Sequence, residues 1–145
     1  MFLIVLFVQG IELSLSNFLI TIPLWIHIAM ILSVNNACDL IGDKTNGRKT
    51  LAILLGPRKA PYMILAEGII VYGEIALLTI PGVYPRSGGI QCSCFDPRIG
   101  SYRKMQKAGF DESTKEGNMA PVSKAFLVYV STFILGFALS AMPAW

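Results

Sequence analysis

Hydrophobic residues in this chain gather into long runs instead of alternating with polar ones. A membrane-crossing helix needs about twenty mostly apolar residues at ~1.5 Å of rise each. Three segments meet that requirement: residues 13–34, 62–81 and 125–144. A fourth apolar run, residues 2–8, is too short to span and reads as the tail of a helix whose beginning is absent. Pro23 is expected to kink the first span, which runs on into residues 35–43 and so places the polar groups there at its interfacial end. Gly47 and Gly56-Pro57 mark helix ends, and Pro61 suits the first turn of the next span. The stretch from 82 to 121 is polar, rich in Gly and Pro, and cannot cross a bilayer as written. Within it, residues 102–116 read as a short surface helix and then a charged loop, with Met105 and Phe110 as interfacial contacts. The pattern predicts an all-α, polytopic transmembrane helical bundle without internal repeats.

Composition agrees. Of 145 residues, 54% are hydrophobic and 14% charged, whereas soluble domains carry about a quarter charged residues. The start of the chain has no basic region and no small-residue cleavage site before a soluble body, so a secretory signal peptide is not expected. Cys38, Cys92 and Cys94 are too few and too irregularly spaced for a disulfide framework or a zinc site. The expected surroundings are a lipid bilayer, and no nucleic-acid partner is expected.

Charge placement adds a topological puzzle. All 12 Lys and Arg residues lie within 44–59 and 86–124. The positive-inside rule puts both blocks in the cytoplasm, yet a single span, 62–81, separates them. Either that span is re-entrant, or the second block is translocated against the rule, or a crossing helix near 83–98 has been lost. The third is the expectation, because the stretch GGIQCSCFDPR at 88–98 is compositionally unlike its flanks.

The candidate chemistry sits at the end of the first span. Asn35, Asp39 and Asp43 are spaced i, i+4, i+8 and share one face of a helix. Two carboxylates one turn apart can hold Mg²⁺, whose octahedron is commonly completed by substrate phosphates. Lys44, Arg48 and Lys49 follow at once, and such cations suit diphosphate oxygens, Arg through its forked donors. On spacing alone, a solvated juxtamembrane helix end explains the same residues. Glu67 and Glu74 share a face within a span and could line a cavity, although Glu67 could also reach the interface. His27, mid-span, suits interior hydrogen bonding better than metal binding. Trp25, Tyr62, Tyr72, Tyr84 and Trp145 include candidate interfacial anchors.

The stretch NNACDLIGDKTNGRKTLAILLG, residues 35–56, has the form N-N-x-x-D-x-x-x-D-x-x-x-G-[RK]-[RK]-T-L. It closely resembles the second Asp-rich motif of UbiA-family prenyltransferases, and most of all the 1,4-dihydroxy-2-naphthoate polyprenyltransferase (MenA) branch. Residues 104–139, with SKAFLVY at 123–129, resemble the last loop and helix of that branch. The resemblance implies a partial UbiA-type fold: residues 1–145 as the C-terminal portion of such a membrane domain, with a disrupted region at about 83–99. It implies Mg²⁺-dependent transfer of a polyprenyl group from polyprenyl diphosphate to an aromatic acceptor, 1,4-dihydroxy-2-naphthoate, in menaquinone biosynthesis. By the same resemblance Asp39 and Asp43 are catalytic metal ligands, with Asn35, Lys44, Arg48 and Lys49 around the diphosphate. The setting is the bacterial inner membrane, with the Asp-rich motif on the cytoplasmic side. Members of the family set two Asp-rich motifs face to face; no second pair of this pattern occurs in the sequence, and Cys38 stands where many relatives have Arg. Two further readings therefore stand beside the first: a non-catalytic remnant or half-protein that needs a missing N-terminal half, and a 4-hydroxybenzoate polyprenyltransferase of ubiquinone biosynthesis.

Overall fold

A computed structural model of the chain describes residues 2–12, 14–80, 82 and 95–140. These residues form seven α-helices and one 3₁₀ turn, with no strand among them: α1 (Phe2–Val8), α2 (Leu15–Cys38), α3 (Leu40–Thr45), α4 (Leu51–Leu55), α5 (Ala60–Thr79), α6 (Phe95–Ala108), the 3₁₀ turn Glu112–Thr114, and α7 (Lys115–Ser140).

Three of these helices, at Leu15–Cys38, Ala60–Thr79 and within Glu112–Gly136, are long and apolar enough to cross a membrane. At ~1.5 Å per residue, the 24 residues of α2 extend about 36 Å, against a hydrocarbon core of roughly 30 Å. Their outward faces are apolar as well as their inward ones: Leu32, Ile69, Leu77, Leu127 and Leu135 are all exposed. A helix apolar all round, with no polar face for water, is at home in lipid. The chain is an all-α polytopic helical bundle and an integral membrane protein.

Local sequence accounts for the helix ends. The Ser14 hydroxyl accepts the Asn17 N–H at 3.2 Å and caps α2. Gly47 and Gly56 adopt φ of 70° and 76°, a left-handed backbone that side chains resist, and they close the turns after α3 and α4. Pro61 stands in the first turn of α5, as expected. The short α4 was not expected; Thr50 nucleates it by accepting the Ile53 N–H. The last span starts earlier than its apolar run, because α7 already begins at Lys115.

Helix α2 packs on α5 and α7, and the core has two parts. At one end Val34, Ala37 and Cys38 of α2 meet Ala52, Ala60, Ile64, Met105 and Val122. Toward the other end Val71, Tyr72, Ile75 and Leu78 of α5 meet Tyr129 of α7, with Leu19, Ile20 and Leu24 of α2 against them. Between the two, His27 is 1% exposed, stacks on Tyr129 at 4.6 Å between ring centroids, and bonds the Pro23 carbonyl through Nδ1 at 2.9 Å. His27 is thus an interior packing residue, as expected. Tyr72 is buried, not an interfacial anchor, while Tyr62 is exposed at the start of α5. Tyr84 and Trp145 lie outside the described residues.

The arrangement bears directly on the charge puzzle. Helix α5 leaves the end of the bundle that holds Asp39, yet α6 and the start of α7 stand at that same end. There Tyr102 Oη donates to the Pro61 carbonyl at 2.8 Å, and Lys115 pairs with Asp39. Residues of both basic blocks, Arg48 and Lys115 among them, therefore share one end of the bundle. Met105 is 4% exposed within the core, so α6 is docked onto the spans and does not lie on an interface as expected; Phe110 packs against the same cluster, half-buried. Of the stretch expected to be disrupted, residues 83–94 lie outside the described residues, and from Phe95 the chain is helical.

Candidate carboxylate cavity

The polar end of α2 is built around a small break. Asp39 caps α2 with φ −92° and ψ 13°, its N–H still bonded to the Asn35 carbonyl at 3.0 Å. The chain resumes as α3 and the Asp43 N–H reaches back to the Asp39 carbonyl at 2.8 Å. The two aspartates therefore follow one another by a helical turn, but across a junction and not along one continuous helix.

Each carboxylate has its own cation. Asp43 is 4% exposed. Its Oδ1 accepts from an Arg48 guanidinium nitrogen at 3.1 Å, and its backbone carbonyl accepts the Arg48 N–H at 2.9 Å. That double link folds the Asp43–Arg48 segment into a closed loop. Asp43 Oδ2 is buried with no hydrogen-bond partner. Asp39, a quarter exposed, accepts at Oδ2 from the Lys115 ammonium at 2.5 Å.

Both aspartates line a half-open cavity of about 730 Å³, together with Arg48, Phe110, Asp111 and Glu112. Asn118, 2% exposed in the second turn of α7, ties the far wall to the motif. Its amide donates to the Gly109 carbonyl at 2.8 Å and faces Cys38 Sγ at 3.8 Å. Asp111 caps the turn before α7, its Oδ1 accepting from the Ser113 hydroxyl at 2.5 Å and from the Thr114 N–H at 3.1 Å. Those bonds, the Ser113 hydroxyl foremost, hold its carboxyl below the ordinary aspartate range.

Of the residues singled out from sequence, the structure brings Asp39, Asp43 and Arg48 together around this cavity. Asn35 is half-buried, Lys44 and Lys49 are exposed, and none of the three is part of the lining. Glu67 and Glu74 also lie away from it. The Ser33 hydroxyl donates to Glu67 Oε1 at 2.8 Å between α2 and α5, and Oε2 of each glutamate is buried without a hydrogen-bond partner. Asp111, Glu112, Lys115 and Asn118 were missed as site residues. The pairing of Asp111 with Thr114 is a readable helix-start pattern, but nothing local joins Lys115 to an aspartate 76 residues away.

The donor set fits a divalent cation in part. Hard carboxylate oxygens are the right chemistry for Mg²⁺, and the orphaned Asp43 oxygen at the cavity is a position that a cation or a donor would satisfy. Among the described residues, however, no group of three or more His, Cys, Asp and Glu side chains is gathered closely enough to hold a metal by itself.

The chain is 38% identical over 80 residues to 1,4-dihydroxy-2-naphthoate octaprenyltransferase of Bacillus subtilis (strain 168), a match covering 55% of this chain and 26% of that protein. It is 32% identical over 109 residues to UbiA prenyltransferase domain-containing protein 1 of Danio rerio, covering 64% of this chain and 32% of the relative. No family model and no solved structure matches it. The chain thus spans about a quarter to a third of the length of the curated relatives it matches. Over part of their length, then, the chain is similar to two prenyltransferases, and the stretch aligned with them is a fraction of either protein.

Proposed function

We propose that this chain forms the Asp39–Asp43 side of a Mg²⁺-dependent prenyl-transfer site, as the C-terminal portion of a UbiA-type membrane domain. The reaction is transfer of a polyprenyl group from its diphosphate to 1,4-dihydroxy-2-naphthoate in menaquinone biosynthesis. The observation that carries this reading is the buried, unpartnered Asp43 oxygen in a cavity shared with Asp39 and Arg48.

In the reading, Asp39 and Asp43 hold the metal, while Arg48, with Asn35, Lys44 and Lys49 on the flanking loop, meets the diphosphate. Bound magnesium supplies positive charge to the diphosphate oxygens. The chain's own residues supply placement. The double link to Arg48 fixes Asp43, and the Arg48 side chain, 65% exposed, is open to a phosphate as well as to Asp43. As the prenyl C–O bond breaks, its electron pair leaves with the diphosphate, and cations already in place oppose the growing negative charge. The ring carbon would then supply the electrons of the new C–C bond, and as the naphthoate carboxylate leaves as carbon dioxide the electron pair of its broken C–C bond would return to the ring and restore its aromaticity. By the positive-inside rule, the end bearing the basic residues faces the cytoplasm of a bacterial inner membrane.

A second reading has its own support. Among the described residues no third His, Cys, Asp or Glu side chain gathers closely enough with Asp39 and Asp43 to hold a metal, so the pair makes half of a metal site. We therefore infer that turnover needs a separately supplied N-terminal half, and that this chain alone is non-catalytic. The test is prenyl transfer from labelled polyprenyl diphosphate in membranes holding the chain alone, or the chain with such a half carrying an N-x-x-x-D-x-x-x-D motif. Expected is Mg²⁺-dependent naphthoate product from the pair only, lost in Asp39→Asn and Asp43→Asn. Product from 4-hydroxybenzoate alone would overturn the acceptor, and no product from either acceptor would leave the chain a membrane remnant.

A further inference from the structure

Lys115 opens the last span and stands 76 residues from the aspartate it bonds. The pair is partly open to solvent, the two side chains being 32% and 25% exposed. Its position is not casual. One turn along α7, Asn118 is 2% exposed and bonded to the Gly109 carbonyl, with its amide against Cys38, the neighbour of Asp39. That contact fixes the start of α7 beside the end of α2, and so keeps the ammonium within reach of Asp39.

The two motif aspartates are then held in different ways. Asp43 takes Arg48 on one oxygen and keeps the other buried and unpartnered at the cavity. Asp39 takes a lysine from another helix, on a flexible stem that carries a compact charge. A divalent cation approaching both carboxylates meets no hydrogen-bonded cation on Oδ2 of Asp43, which is buried and unpartnered, but it meets an ammonium on Asp39. Two cations cannot share that oxygen cheaply, and the exposed lysine is the one that can leave.

We propose that Lys115 is a positioning residue that occupies Asp39 until a divalent cation arrives, and is then released to the anion that accompanies the cation. The proposal rests on the reading of Asp39 and Asp43 as the divalent-cation pair. It has two consequences of opposite sign. Removing the charge at residue 115 strengthens cation binding, because a competitor is gone, and weakens retention of a diphosphate, because a cation at the rim is gone. Since the pair is partly screened by water, each change should be roughly three- to tenfold.

The experiment uses the full chain in lipid nanodiscs. Mn²⁺ binding is read from the loss of the free-ion electron paramagnetic resonance signal, and binding of inorganic pyrophosphate is then read at saturating Mn²⁺. Expected are tighter Mn²⁺ and weaker pyrophosphate in Lys115→Gln, wild-type behaviour in Lys115→Arg, which keeps the charge, and no gain from Lys115→Gln once Asp39 is Asn. Unchanged Mn²⁺ affinity in Lys115→Gln, or a parallel loss of both ligands, overturns the proposal while leaving the metal reading in place. A wild-type chain that binds no Mn²⁺ overturns the metal reading itself, and this proposal with it.

Discussion

Replacing Asn118 tests the geometry that brings the last span to the Asp-rich end. The amide is 2% exposed, and its nitrogen faces three acceptors: the Gly109 carbonyl at 2.8 Å, Thr114 Oγ1 at 3.4 Å and Cys38 Sγ at 3.8 Å. Only the first is short and nearly ideal. A carbonyl can only accept, so the group facing Gly109 must be the donor. Asn118→Ala removes that donor and leaves a buried amide's worth of space, at a cost of about 2 kcal/mol. Asn118→Asp preserves the shape but turns an acceptor toward the Gly109 carbonyl and buries a charge, so it should cost more than the alanine change. Cys38, 5% exposed, reports the opening directly. With Cys92 and Cys94 changed to Ser, the rate of Cys38 labelling by a thiol reagent in detergent should rise about 30-fold in Asn118→Ala at 1.4 kcal/mol per tenfold, and further in Asn118→Asp. A packing-only account expects the reverse order, because aspartate fills the space better. Labelling that is unchanged in both variants, or faster in alanine than in aspartate, would refute the reasoning.

Two further outcomes follow from other parts of the bundle. His27→Ala empties a fully buried site and breaks the stack on Tyr129, so thermal unfolding in detergent should show a loss of about 2 kcal/mol, while Tyr62→Ala, at an exposed site, should change little. For Asp111, the folded carboxyl lies below its ordinary value, so its contribution to stability is complete above the unfolded value and is lost as pH falls through the lowered one. Asp111→Asn should therefore lower the stability of the folded bundle at neutral pH and flatten its further loss below about pH 4, read by thermal unfolding in detergent across that pH range.

How much was readable beforehand depended on whether the determinant was local. The three spans were legible because length and apolarity are properties of a segment, and Asp39, Asp43 and Arg48 were legible as candidates because they lie within ten consecutive residues. The interruption of the helix at Asp39 was not, since no Pro or Gly at that position marks it. The sharing of one bundle end by residues of both basic blocks was also hidden. It depends on Tyr102 meeting Pro61 and on Met105 inserting between α5 and α7, contacts that a linear reading cannot place. Met105 looked interfacial because its neighbours Arg103, Lys104 and Lys107 are charged; the face it occupies, not its neighbours in sequence, decided its burial. Lys115 illustrates the same limit, a residue in an ordinary charged turn that tertiary structure delivers to the motif.

The most direct test of the central claim is divalent-cation binding by the chain with Asp43 intact or changed. The account predicts that Mn²⁺, titrated in the presence of inorganic pyrophosphate, binds the wild-type chain and loses at least about tenfold in affinity in Asp43→Asn, which keeps the shape and the Arg48 contact but removes the charge beside the orphaned oxygen. Equal Mn²⁺ affinity in Asp43→Asn and wild type would contradict it, and would leave Asp43 as a structural anchor for the Arg48 loop.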